Sequence, residues 1–171
     1  FMKNLTAKVW RTYNASMLFQ KELDKIRMDT VMKLPESERV NYIISMFYQA
    51  NTMVALLCNH QKSVSSSHEK QIERFNEKIK KLRQKKRKYN DRMKKTKNKD
   101  KKKDYKDKIF KVEAKIKLLK IKKNTKSQMK NVSLETSKKN YIDPRIIFAF
   151  LDKFNVSSDK LGFSDKFIER F

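Results

Sequence analysis

The run Ser137-Lys-Lys-Asn140-Tyr141-Ile-Asp143-Pro144-Arg145 sets one tyrosine just ahead of a helix start. The chain around it carries 44 Lys and Arg against 19 Asp and Glu, a net charge of +25. A tyrosine beside a helix is ordinary by itself. In a chain built to hold a polyanion, its phenolic oxygen is also a candidate to attack a phosphodiester and become covalently attached to it. Such chemistry needs positive groups around the phosphate and a proton route for the leaving hydroxyl. Arg11, in Thr6-Ala-Lys-Val-Trp-Arg11-Thr-Tyr-Asn14, offers a planar fork of donors suited to nonbridging oxygens. His60, in Leu57-Cys-Asn-His60-Gln61, stands where a helix is expected to end and could donate to another phosphate oxygen. Each has a plain alternative: Arg11 as a surface charge, His60 as a helix-end cap.

Other chemistries lack their residues. No Cys/His cluster has metal-ligand spacing, so no metal is expected. One glycine, Gly162, cannot build a phosphate-cradling loop, so nucleotide hydrolysis is not encoded and no cofactor is expected. His68 lies beside Glu69 in a Ser-rich stretch and reads as solvated. The single cysteine, Cys58, sits in Met53-Val-Ala-Leu-Leu-Cys58 and reads as a small buried hydrophobe in a reducing compartment. No apolar run reaches 18 residues, so no membrane span is expected. The first residue, Phe1, and the ending at Phe171 are read as the ends of a fragment of a longer protein.

The positioning elements are expected to be helices. One Gly and two Pro leave little material for hairpin turns, and charged residues make up 37% of the chain. Three segments differ in composition. Residues 1–63 are mixed and fairly apolar, with a helix from about Glu36 to about Asn59 on Val40, Ile43, Ile44, Phe47, Val54 and Leu57. Residues 64–130 hold 28 Lys and Arg against 8 Asp and Glu, a surplus of 20. Their apolar residues alternate steps of three and four: Ile72, Phe75, Ile79, Leu82, Tyr89 and Met93, with Lys86 in one core slot, then Tyr105, Ile109, Val112, Ile116 and Leu119. That spacing predicts an antiparallel coiled-coil hairpin, thin in its seam and mobile alone, with Lys94–Lys103 as its turn and Ser63–Ser67 as a hinge before it. Residues 131–171 predict a small helical segment: Asp143 as N-cap, Pro144 in the first helical position, and short helices capped by Ser158 and Ser164. Some 40 residues cannot supply a core, so this segment must dock on another.

Three blocks taken together are more specific than any single residue. Thr6–Ser16, then Ala55-Leu-Leu-Cys-Asn-His-Gln61, then Thr136–Arg145 resemble, in that order, the C-terminal part of eukaryotic type IB DNA topoisomerase. The resemblance implies a mainly α chain made of the end of a catalytic core (1–63), a basic linker hairpin (64–130) and a C-terminal domain (131–171) carrying the nucleophile. It implies that Tyr141 forms a 3′-phosphotyrosyl link to double-stranded DNA, that the cut strand rotates and reseals, and that neither ATP nor a metal takes part. Arg11 and His60 map onto the family's transition-state stabilisers. Asn140 maps onto the position associated with camptothecin-type inhibitors. A second arginine and a general-acid lysine of the family have no counterpart here, so the chain is expected to be inactive without an upstream core of the same enzyme. A nuclear, monomeric enzyme is implied. A tyrosine recombinase shares the Arg, His, Tyr order, but the hairpin between His60 and Tyr141 argues against it. A non-enzymatic basic coiled coil explains the charge but not the flanking blocks.

Overall fold

The structure, a computed structural model, describes residues 5–59, 67–128, 130 and 133–163. Among the described residues the chain is mainly α, with seven α-helices and no strand: α1 (Ala7–Asp24), α2 (Met28–Met32), α3 (Glu36–Leu57), α4 (His68–Lys95), α5 (Lys99–Gln128), α6 (Leu134–Asn140) and α7 (Pro144–Phe154). A 3-10 turn at Ser158–Leu161 follows.

The core lies where α1, α3 and α7 meet. α1 buries Ala15, Phe19 and Leu23, four residues apart, so they share one stripe. α3 starts after Pro35, with Glu36 and Glu38 in its first turn, where carboxylates suit the positive end of the helix. It buries Ile43, Phe47, Ala50 and Val54. Val40 and Leu57, two of the residues used to anticipate this helix, stay exposed. Phe47 is the centre: its ring stands edge-on to Phe19 at 5.3 Å between centroids and lies 6.0 Å from Phe150 of α7. α2 is a one-turn step that plugs Val31 against this core.

α4 and α5 run antiparallel. Tyr89 meets Tyr105 at 6.3 Å, and Lys86 pairs with Glu113 at 2.6 Å. Lys86 thus fills its core slot by finding a carboxylate on the facing helix. The expected ten-residue turn is only Thr96 to Asn98, because lysine sustains a helix well and both helices run into the lysine-rich stretch. The Asn98 side chain caps α5, accepting the N–H groups of Asp100 (2.9 Å) and Lys101 (3.1 Å). α5 also buries Ala114, Leu118 and Thr125, outside the seven-residue set. It also packs on α3: Ile121 lies against the core, Lys115 pairs with Glu38 at 3.8 Å, and Lys117 stands 5.4 Å over the Tyr42 ring. The expected hinge lies outside the described residues save Ser67.

α7 starts as anticipated. Pro144 occupies its first turn, and the Asp143 carboxylate accepts the Arg145 N–H at 2.9 Å and grips the Arg145 guanidinium at 2.6 Å. Its apolar face, Ile147, Phe150, Leu151 and Phe154, is buried. The 3-10 turn is preceded by Ser157, one residue before the expected cap Ser158, and ends at Gly162 with φ 67°, a left-handed conformation suited to glycine. The helix anticipated after Ser164 lies outside the described residues.

Arg145's hydrogen bond holds the Asp143 carboxyl below its ordinary value of 3.8. A depressed folded-state pKa gives stability that is present above the unfolded value and lost as pH falls through the folded one. Asp143→Ala is therefore expected to destabilise the chain by about 1 kcal/mol at neutral pH. Urea unfolding from pH 7 down to pH 2 should show the gap between the two proteins narrowing below pH 4; a gap independent of pH contradicts the assignment.

Candidate active site

Tyr141 is the first residue beyond α6, and the local sequence dictates that break. A proline disfavours the α region for the residue before it, so Asp143 is extended (φ −65°, ψ 121°) and α6 cannot run into α7. Tyr141 itself leaves helical geometry at φ −131°, ψ −13°, and its N–H still reaches the Ser137 carbonyl at 3.1 Å. The ring is half-buried against the core, while Asn140 beside it is exposed.

Three side-chain groups hold this short segment in place. On the α3 side, the buried Ser137 hydroxyl donates to Asn51 Oδ1 at 2.7 Å, and Asn51 Nδ2 donates to the Leu134 carbonyl at 3.2 Å. On the C-terminal side, Lys138 is only 2% exposed; its ammonium donates to the Leu161 carbonyl at 3.0 Å, pairs with Glu135 at 3.1 Å and stands 4.7 Å over the Phe163 ring. A buried cation needs such partners. Burial pushes the Glu135 carboxyl up, but hydrogen bonds from Lys138 and Lys139 outweigh it, and the net shift is downward. On the α1 side, the Ser16 hydroxyl donates to the Tyr141 carbonyl (3.3 Å) and accepts the Asp143 N–H (3.0 Å).

α1 also presents Arg11. Its guanidinium carbon lies 5.8 Å from the centre of the Tyr141 ring, within cation–π range. Two of the expected site residues, 130 positions apart in the chain, are thereby brought together. His60 lies outside the described residues. Burial raises the Cys58 thiol pKa at the end of α3, and the charge of Arg11 lowers it by less. Asn59 follows in a left-handed conformation, φ 52°. Among the described residues no three His, Cys, Asp or Glu side chains are grouped to hold a metal, and no helix is long and apolar enough to cross a membrane.

Sequence reasoning does not single out Ser16, Asn51, Ser137 or Lys138 as site residues. Ser16, Ser137 and Lys138 lie inside the blocks that carry the family resemblance, which is a usable signal. Asn51 lies in the middle of a long helix and gives none.

Comparison with known proteins gives the family. Residues 1–93 match the family described as eukaryotic DNA topoisomerase I, catalytic core, and residues 113–171 match the C-terminal topoisomerase domain. DNA topoisomerase 1 of Drosophila melanogaster is 38% identical over 160 residues, covering 94% of this chain and 15% of that protein. DNA topoisomerase 1 beta of Arabidopsis thaliana is 36% identical over 184 residues, 99% of this chain and 19% of that protein. A Rattus norvegicus protein named DNA topoisomerase I, mitochondrial, is 31% identical over 169 residues, 94% of this chain and 27% of that protein. The chain thus spans less than a fifth of the first two relatives. With a catalytic-core match over more than half its length and a matching C-terminal domain behind it, this chain belongs to the eukaryotic DNA topoisomerase I family.

Proposed function

We propose that this chain is the nucleophile-bearing part of a type IB DNA topoisomerase. The carrying observation is the placement of Tyr141, pinned by α1 and α3, with Arg11 5.8 Å from its ring. The Tyr141 oxygen attacks a DNA phosphodiester. A phosphorus–oxygen bond forms to the phenolic oxygen as the bond to the 5′ oxygen breaks; the phenol loses its proton and the 5′ oxygen gains one. The 3′-phosphotyrosyl link conserves the bond energy, so the cut strand can rotate and the 5′-hydroxyl can attack back without ATP or a metal. Arg11, joined by His60, stabilises the charge that develops on the nonbridging oxygens. The exposed Asn140 is where a camptothecin-type inhibitor would meet the cleaved complex.

The division of labour follows the segments: 1–63 as the end of the core, 64–130 as the linker, 131–171 as the domain carrying Tyr141. An upstream core of the same enzyme supplies the second arginine and the general-acid lysine. The outer face of α1 supports such a partner, since Trp10, Tyr13 and Met17 are each half exposed, and Leu56 and Leu57 at the end of α3 are exposed as well. The enzyme works as a nuclear monomer.

The hairpin holds the duplex downstream of the cut and slows its rotation. A cleft of about 690 Å³ between its helices supports this: Lys80, Arg83 and Arg87 of α4 and Lys120 and Lys123 of α5 line it, with no carboxylate among its lining residues. Interactions of this kind go to phosphates, are blind to sequence and weaken with salt.

Three outcomes follow. In the full-length enzyme, Tyr141→Phe abolishes relaxation of supercoiled plasmid, and Arg11→Ala lowers the cleavage rate by about 10²–10³; relaxation by Tyr141→Phe at the wild-type rate defeats the reading. The purified 171-residue chain alone relaxes nothing in the same assay, and activity from it would contradict the need for an upstream core. Replacing the five cleft cations with glutamine flattens the salt dependence of DNA binding, by about 0.9 in the log–log slope for each phosphate that is no longer neutralised, and speeds single-molecule rotation. Unchanged slope and rotation rule the hairpin out as a brake.

A further inference from the structure

We infer that Ser16 is a positioning residue: its hydroxyl fixes the backbone of Tyr141 relative to Arg11. The inference rests on the reading of Tyr141 as the nucleophile.

The turn between α6 and α7 leaves two backbone groups that neither helix satisfies. The Tyr141 carbonyl lies past the end of α6, and the Asp143 N–H precedes the start of α7. A single hydroxyl serves both, donating to the carbonyl at 3.3 Å and accepting the amide at 3.0 Å. Serine suits the task because one oxygen can donate and accept at once.

That hydroxyl belongs to the helix that carries Arg11. The two residues are five apart on α1, about 7.5 Å along its axis, within one continuous run of helix. Linking the Tyr141 carbonyl side to Ser16 therefore ties the nucleophile directly to the helix that carries the guanidinium, where the other pins tie it to α3 and to the C-terminal turn. The other two pins act elsewhere. Asn51 and Ser137 tie the body of α6 to α3, and Lys138 ties it to the Leu161 carbonyl. Through its backbone carbonyl Ser137 also accepts the Tyr141 and Ile142 N–H groups at 3.1 and 3.2 Å, but neither pin reaches the Tyr141 carbonyl or the Asp143 N–H, which Ser16 holds. A misplacement of about 1 Å can cost a reaction about 10²-fold, so loss of this one group should be felt in the rate more than in the fold.

The test uses the full-length enzyme and a suicide DNA substrate in single-turnover cleavage at saturating enzyme. Ser16→Ala is expected to lower the cleavage rate constant about 10- to 100-fold. DNA affinity, measured in a Tyr141→Phe background, stays within about twofold, and the melting temperature is followed alongside. Ser16→Thr keeps the hydroxyl and recovers most of the rate. Ser16→Cys keeps the volume with a weaker hydrogen-bonding group and falls between; it stands in for Ser16→Ala should that variant fail to fold. In an Arg11→Ala background Ser16→Ala costs less than about threefold, because there is no longer an arginine to be aligned with. Cleavage within about twofold of wild type for Ser16→Ala or Ser16→Cys overturns the inference. So do fully multiplicative effects of Ser16→Ala and Arg11→Ala. If Tyr141→Phe cleaves like wild type, it is the reading of the nucleophile that fails, not the role of Ser16.

Discussion

Everything the site can do depends on how a segment without a core of its own is held against one that has it. α6 is seven residues long, well below the length at which an isolated helix is stable in water. Its neighbour α7 is amphipathic and can bury its face only by docking. The docking is apolar at its centre, where Phe150 meets Phe47, and polar at its edges, where Ser16 and Asn51 satisfy groups of α6 or the turn after it and Lys138 of α6 donates to the Leu161 carbonyl. Apolar burial supplies the affinity. The hydrogen bonds supply the register, since each can be made at only one position of the segment. A tyrosine in the proposed role needs both, because burial alone would tolerate shifts larger than chemistry does.

The hairpin solves a different problem. A surplus of 20 positive charges in one segment repels itself. Among the described residues only a few of these charges are neutralised internally, as Lys86 is by Glu113 and Lys115 by Glu38. α5 is anchored because it has two partners, α4 along one side and α3 along the other. Rigidity at this end and unneutralised charge beyond it fit an element that reaches toward a polyanion from a fixed base.

Much of this is legible in the residues. Few helix breakers mean helices, and Asp143-Pro144 fixes the start of α7 to the residue. The steps of three and four mark the seam of the hairpin. What is not legible has physical causes. α1 carries apolar residues on two faces, Ala15 and Phe19 inward and Trp10, Tyr13 and Met17 outward, so no single stripe announces it. Ala114 and Leu118 fall outside the seven-residue pattern because they serve the second face of α5. The lysine run looks like a loop because it has no apolar residue, yet a helix needs none when its neighbours already pack. Arg11 and Tyr141 are candidates that residue type and context suggest, whereas the groups that hold Tyr141 carry at most the weaker signal of lying in the same blocks, and Asn51 carries none. A serine that bridges two peptide groups has no spacing rule, since its partners lie 125 and 127 positions away.

The covalent role of Tyr141 is the central claim, and the direct measurement is to map the protein–DNA adduct. The full-length enzyme would be trapped on a suicide substrate, digested, and the nucleotide-bearing peptide sequenced by mass spectrometry. The prediction is one modified residue, Tyr141, joined through its phenolic oxygen to the 3′ phosphate of the cut strand. An adduct on another residue, or one joined to a 5′ phosphate, would contradict it.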